Sequence, residues 1–178
     1  KENFKIPRYQ NFILSTRIGG NGGGIGFFVR EGCEYELLDE ASIFEERVHE
    51  SMFIRSFGKN NSSIIIGNVY RPNTAPYANV IKSAKYISQS IEYIQRKYKN
   101  DSVIIVGDFN VNLAGSETSD SLEFISEFCG KGFTYSHHRK EHLRIHTEEK
   151  SSNVPFAITR PFQNRTKRSM KIFLTKIV

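Results

Sequence analysis

Val103-Ile104-Ile105-Val106 runs directly into Gly107-Asp108-Phe109-Asn110, and this stretch decides the fold. Its apolar residues do not alternate with polar ones, a pattern typical of a central strand that is covered on both faces. The strand leads into a glycine, which would let the backbone turn sharply and a ligand approach closely. The sequence therefore predicts a buried strand whose exit opens on a cleft.

Asp108 and Asn110 are two residues apart at this exit. In extended backbone their side chains would point to the same side, into the cleft. A carboxylate can take a proton from water, and an amide can donate a hydrogen bond to a phosphoryl oxygen, so the pair suits phosphate chemistry. The alternative is that the two residues only cap a turn.

A second strand exit carries similar groups. The predicted strand at 62–70 runs into Tyr70-Arg71-Pro72-Asn73, which presents a phenol and an amide. If this strand and the one at 102–107 are neighbours, both exits open on the same cleft.

Short runs rich in Ile, Val, Phe and Tyr predict the other strands, and Gly/Asn-rich turns between them favour an antiparallel meander. The predicted strands are 11–16, 24–30, 34–38 and 50–57. Apolar residues recur at helical spacing over 77–98, which predicts an amphipathic helix laid on the sheet. A second helix is expected from Asp120, its N-cap, to Gly130, with Leu122, Ile125 and Cys129 facing inward. The pattern indicates the α/β class.

These motifs resemble those of the endonuclease/exonuclease/phosphatase superfamily, and within it the endonuclease domains of non-LTR retrotransposons. The matching segments follow in order: Ile6-Pro7-Arg8-Tyr9, Gly22-Gly23-Gly24, Glu50-Ser51-Met52-Phe53-Ile54, Tyr70-Arg71-Pro72-Asn73-Thr74-Ala75-Pro76 and Gly107-Asp108-Phe109-Asn110-Val111-Asn112-Leu113. The resemblance implies a four-layer α/β sandwich, two mixed sheets flanked by helices, incomplete at both ends. The resemblance covers most of residues 4–130, and a shift of composition at Gly130 divides the chain into a domain core at 1–130 and a basic C-terminal segment at 131–178.

The resemblance also implies a function, the nicking of DNA by a Mg²⁺-dependent endonuclease in the nucleus. It assigns Asp108 to orienting or deprotonating the attacking water and Asn110 to stabilising the phosphate. Tyr70 would contact the phosphate or the leaving group, and Asn73 and Arg71 would bind the substrate.

Two of the family's residues have no counterpart here. The metal-binding glutamate of the family would fall before Lys1, and a chain that opens on this residue is expected to be a fragment. The family's terminal Asp-His pair matches a tract, 158–175, that contains neither residue. We therefore expect an incomplete site that is weakly active or inactive, because members of one catalytic unit are not additive.

Charge is distributed unevenly along the chain. Residues 131–178 carry eleven Lys and Arg against three Glu, a net +8, whereas the first 130 residues sum to −2. A basic end suits a polyanionic partner, with DNA first and RNA as a second candidate, because phosphate contacts are made mostly by Lys and Arg. The alternative function is thus nucleic-acid binding through this segment, and the simpler alternative is a solvated end.

Residues 128–150 resemble a Krüppel-type zinc finger. Cys129, His142 and His146 have the spacing of one cysteine and two histidines of such a finger, but no second cysteine precedes Cys129 within it. Three ligands cannot close a structural tetrahedral site, so zinc binding is not expected, and Cys129 is then a buried helix residue with the two histidines on the surface.

The remaining features are those of an ordinary globular chain. Two cysteines in 178 residues indicate a reducing, intracellular compartment, and no apolar run is long enough to cross a membrane. His49, between Glu45, Glu46 and Glu50, is predicted to be a surface residue rather than a catalyst.

Overall fold

The computed structural model describes residues 6–9, 13–16, 24–58, 62–73, 77–111, 124, 156–161 and 169–174. The chain in these ranges forms nine strands, one long helix and a short 3₁₀ helix at Asp39–Ala41. The elements are β1 (Ile13–Thr16), β2 (Gly24–Phe27), β3 (Tyr35–Leu37), β4 (Phe44–Glu45), β5 (His49–Phe57), β6 (Ser63–Tyr70), α1 (Tyr77–Lys97), β7 (Ser102–Asp108), β8 (Phe156–Pro161) and β9 (Ser169–Leu174). The predicted strands and the helix at 77–98 are confirmed with small shifts of their ends.

Seven of the strands form one mixed sheet. Six of them follow the order β3-β5-β6-β7-β9-β8, and β4 pairs with the first two residues of β5. The three central strands β6, β7 and β9 run parallel, and the outer pairings are antiparallel. The central position predicted for 103–106 is confirmed, because β7 lies between β6 and β9. A helix that connects two parallel strands of a mixed sheet makes the fold α/β-like.

The helix α1 covers one face of this sheet. Its isoleucines at positions 87, 91 and 94 are at most 1% exposed and belong to one core with strand residues such as Ile65 and Ile105. Their spacing of four and three residues keeps them on one helix face, while Lys82, Lys85 and Glu92 remain exposed on the other. Helical periodicity thus places α1 on the sheet beside the two strands that it connects.

A two-stranded ribbon, β1 and β2, lies against the opposite face. Asn68 alternates along β6 with the core residue Val69, so its side chain points away from α1, and its Nδ2 donates to the carbonyl oxygen of Gly26 at 3.1 Å. The predicted antiparallel pairings are found for β1 with β2 and for β5 with β6, and the two pairs belong to different sheets. β2 pairs with β1 and packs its buried Ile25 against the main sheet instead of extending its edge.

Arg55 and Asp101 form an ion pair at the edge of the sheet where β7 begins. Arg55 Nε donates to Asp101 Oδ2 at 2.6 Å, and Ser63 Oγ donates to Asp101 Oδ1 at 2.7 Å. The Arg55 guanidinium also lies 5.1 Å from the ring centroid of Phe57 and 5.0 Å from that of Tyr98. This cluster joins β5, β6 and the entry to β7, at the opposite end of β7 from Asp108.

The prediction for His49 is wrong, because its side chain is fully buried. Its Nδ1 lies 2.8 Å from Ser83 Oγ on α1, and its ring packs against Tyr86 at a centroid distance of 5.5 Å. Within the described residues its Nε2 is buried without a hydrogen-bond partner. Burial lowers the pKa of His49 to about 4, against a smaller opposing effect of Glu45. The surface position was predicted from the acidic residues nearby in the sequence, and these residues carry no information on the packing of α1 over His49.

We expect His49 to make the fold acid-sensitive. The unfolded chain takes up a proton near pH 6.5 and the folded chain only near pH 4, so stability is fully present above about 6.5 and falls as the pH drops toward 4. The total loss is about 3 kcal/mol. Urea unfolding at pH 7 and pH 4 should show that His49→Gln lacks this part of the pH dependence. If both proteins lost equal stability between those pH values, the account of His49 would be wrong.

Phe124 is the residue of the predicted second helix that the structure describes. It is helical and 2% exposed, and its ring meets Phe109 edge-on at a centroid distance of 6.1 Å. Leu122, Ile125 and Cys129 lie outside the described residues. Phe124 therefore packs directly behind the exit of β7.

β8 and β9 extend the sheet beyond the strands predicted from the local pattern. They belong to the basic segment at 131–178, and β9 pairs in parallel with β7 from Ile104↔Lys171 to Gly107↔Leu174. In the described part of the chain, no helix combines the length and the apolar character that a bilayer span needs.

Candidate functional site

The exits of β6 and β7 lie side by side. The two strands are parallel neighbours, with Val69 opposite Gly107 and Tyr70 opposite Asp108. Register partners project to the same face of a sheet, so the phenol and the carboxylate stand next to each other on the face opposite α1. Both residues are half-buried. The predicted convergence of the two exits is confirmed.

A turn, not extended backbone, brings Asn110 close to Asp108. Asn110 has a φ of +48°, in the left-handed region that asparagine tolerates, and its backbone N–H donates to Asp108 Oδ1 at 3.1 Å. The predicted same-side projection of an extended chain is therefore wrong. The hydrogen bond to Oδ1 is that of a side-chain-capped turn, and it fixes the orientation of the carboxylate.

Gly107 is required by the neighbouring strand. Its φ is +144°, and a Cβ at this position would lie 1.8 Å from the carbonyl oxygen of Val69. The close approach that the sequence predicted for a ligand is thus made by the backbone of β6. The glycine lets β7 stay in register with β6 up to the point where Asp108 is presented.

Arg71 links the two exits through hydrogen bonds of its buried side chain. Its side chain is 4% exposed. Nε donates to the carbonyl oxygen of Phe109 at 2.7 Å, Nη1 to that of Pro72 at 3.0 Å, and Nη2 to that of Asn110. In return the Asn110 side chain donates from Nδ2 to the Arg71 carbonyl oxygen at 2.6 Å. These contacts of Arg71 are made with the protein, whereas the other residue predicted to bind substrate, Asn73, is exposed in the following turn.

Comparisons with known proteins add no relative: no family model, no curated protein and no solved structure matches this chain. The chemistry of the site rests on its geometry.

Glu50 is a residue that motif reasoning did not assign to the site. It is the register partner of Tyr70 on β5, so Glu50, Tyr70 and Asp108 form a row across three strands on one face. Glu50 is only 3% exposed. Buried glutamates are rare, and β5 mixes polar and apolar residues, so the sequence carried no local signal for the burial of Glu50.

The side-chain atoms at the exits that could bind a metal ion are oxygen atoms. Mg²⁺ is usually held by one or two carboxylates together with water and phosphate oxygens, and Asp108 supplies an accessible carboxylate of this kind. Among the described residues there is no group of three or more His, Cys, Asp or Glu side chains that could hold a metal by themselves. The zinc candidates Cys129, His142 and His146 lie outside the described residues.

The end of a third strand reaches the same edge. β9 ends at Leu174, which is the register partner of Gly107. The last residues of β9 are Ile172, Phe173 and Leu174, so this strand brings neither an aspartate nor a histidine to the site within its described length.

Proposed function

We propose that the exits of β6 and β7 form the site of a DNA phosphodiesterase of the endonuclease type. The observation that carries the proposal is the register of the two parallel strands, which sets Tyr70 beside Asp108 where both strands end. Ligands of open α/β sheets bind beyond the carboxyl ends of parallel strands. The motif resemblance to retrotransposon endonucleases agrees with this location, and with it we propose the four-layer α/β sandwich as the complete fold.

Asp108 acts on the attacking water. The bond from the Asn110 N–H holds Oδ1 in place, and Oδ2 is then the oxygen that accepts a proton from water. A carboxylate held by a backbone N–H is positioned before the substrate arrives, which lowers the cost of reaching the reactive geometry.

Asn110 and Tyr70 stabilise the phosphate. The Asn110 amide uses one hydrogen on the Arg71 carbonyl oxygen and has a second for a phosphoryl oxygen. The Tyr70 hydroxyl can donate to another phosphoryl oxygen or to the leaving oxygen, where negative charge develops. Mg²⁺ would supply charge neutralisation at the phosphate when bound.

Plasmid nicking tests this proposal. We expect the purified chain to convert supercoiled plasmid slowly to the open circle in Mg²⁺, and EDTA to stop the conversion. The rate should be low because the family's glutamate and terminal histidine have no counterpart among residues 1–178. A chain that leaves the plasmid supercoiled in Mg²⁺, or that nicks equally in EDTA, would contradict the proposal.

The charge asymmetry favours a second candidate function, nucleic-acid binding through residues 131–178. The net +8 of this segment predicts DNA binding whose affinity falls steeply with salt concentration. Filter binding should show that Asp108→Ala leaves this affinity unchanged and that the combined alanine variant of Arg165, Lys167 and Arg168 weakens it. Affinity independent of salt, or unaffected by the triple variant, would rule the candidate out.

A further inference from the structure

We propose that Arg71 is a positioning residue, which locks the exits of β6 and β7 together so that Asp108 and Asn110 hold their reactive geometry. This inference rests on the proposed function, and it replaces substrate binding as the role of Arg71. Three of the five guanidinium N–H donors go to main-chain carbonyls on both exits, those of Pro72, Phe109 and Asn110.

The contacts between the exits run in both directions. The backbone N–H of Arg71 donates to the Asp108 carbonyl oxygen at 2.9 Å, and the Asn110 side chain donates to the Arg71 carbonyl oxygen. The residues after β7 therefore follow a turn that is built on Arg71. Because Asn110 N–H in turn holds Asp108 Oδ1, a displacement of Arg71 would reach the carboxylate through two hydrogen bonds.

A planar fork is needed at this position. Carbonyl oxygens of residues 72, 109 and 110 surround the guanidinium in different directions, and each takes a different nitrogen. A lysine ammonium keeps the charge but is a compact group on a flexible stem, so it cannot reproduce the fixed geometry of three separate nitrogens. Burial at 4% exposure also keeps the fork away from a substrate that approaches from solvent.

Arg55→Lys is a matched control for Arg71→Lys. Arg55 makes hydrogen bonds of similar length to Asp101 and Ser63, but at the opposite end of β7. Both substitutions keep the positive charge and remove a planar fork from the same sheet. A general loss of stability would therefore appear in both variants, and a change confined to the exits only in Arg71→Lys.

The first measurement is amide hydrogen exchange by NMR. In Arg71→Lys we expect the amide of residue 71 to exchange about tenfold faster or more, relative to amides in the middle of β6, because its acceptor Asp108 is no longer held. In Arg55→Lys this ratio should stay within about twofold of the wild-type value. Asn110→Gly, which removes the side-chain bond to the Arg71 carbonyl oxygen while accepting the positive φ, should also accelerate residue 71 and serves if Arg71→Lys does not fold.

The second measurement separates positioning from simple stabilisation. Plasmid nicking by Arg71→Lys should show a lower kcat with little change in KM for DNA, and the double variant Arg71→Lys/Asn110→Gly should be no slower than Asn110→Gly alone. Unchanged exchange at residue 71 in both exit variants would overturn the inference. So would wild-type kcat in an Arg71→Lys protein whose exchange had risen. If the wild-type chain does not nick, the proposed reaction fails, and exchange alone decides whether Arg71 locks the exits.

Discussion

Replacing Gly107 with alanine is expected to destabilise the fold by about 4 kcal/mol or more, the range reached when a substitution forces both strain and overpacking. The new Cβ would lie 1.8 Å from the carbonyl oxygen of Val69, which belongs to the backbone of β6 and cannot rotate away. The φ of +144° adds a second cost, because residues with a side chain rarely adopt it. Urea unfolding followed by circular dichroism measures the loss.

Gly32→Ala is the matched control for this effect. Gly32 also has a positive φ, +79°, but a Cβ there would meet no atom within 4 Å. Its replacement should cost only the backbone strain, about 1 kcal/mol. Equal losses of unfolding free energy in the two variants would show that the contact with Val69 does not restrict the side chain at residue 107. The close approach of β6 and β7 described for the site would then be contradicted.

Replacing Asp108 with asparagine should reduce Mg²⁺-dependent cleavage by about tenfold or more, below the roughly hundredfold or more usual for a positioned general base, because losses within one catalytic unit are not additive. Asparagine has nearly the same shape, and its side-chain oxygen can still accept the N–H of Asn110. The fold should therefore be retained while the proton acceptor is lost. Initial rates on an end-labelled duplex, with unfolding curves for each protein, separate these effects.

Asp39→Asn controls for the removal of one negative charge. Asp39 is exposed at the start of the 3₁₀ helix and is not one of the residues assigned to the exits of β6 and β7. Cleavage by this variant should match that of the wild type. If Asp39→Asn and Asp108→Asn slowed cleavage alike, the effect would come from net charge, and Asp108 would lose its assignment as the base.

Much of the fold could be predicted because its strongest elements are periodic. The isoleucines of α1 repeat at helical spacing, and the apolar run of β7 marked a central strand before its neighbours were known. The adjacency of β6 and β7 was a condition of the predicted convergence, and it agrees with the rule that a strand, a helix and a strand in succession tend to be neighbours. These features depend on local pattern, which the sequence displays directly.

The chemistry of the site was predicted less completely, because it depends on contacts between distant segments. His49 is buried only because α1 packs over it, and Glu50 enters the row of Tyr70 and Asp108 only through the register of β5. The left-handed turn at Asn110 depends on Arg71, which is 39 positions away in the chain. Local periodicity carries no signal for such partners. β8 and β9 were not among the strands predicted from the local pattern, and their places in the central sheet depend on pairing between distant segments.

The most direct test of the central claim is the initial rate of plasmid nicking by the wild-type chain and by Asp108→Asn, measured side by side in Mg²⁺. A phosphodiesterase site at the exits of β6 and β7 predicts slow nicking by the wild type that falls by about tenfold or more in the variant. Equal rates in the two proteins, or no nicking by the wild type, would contradict it.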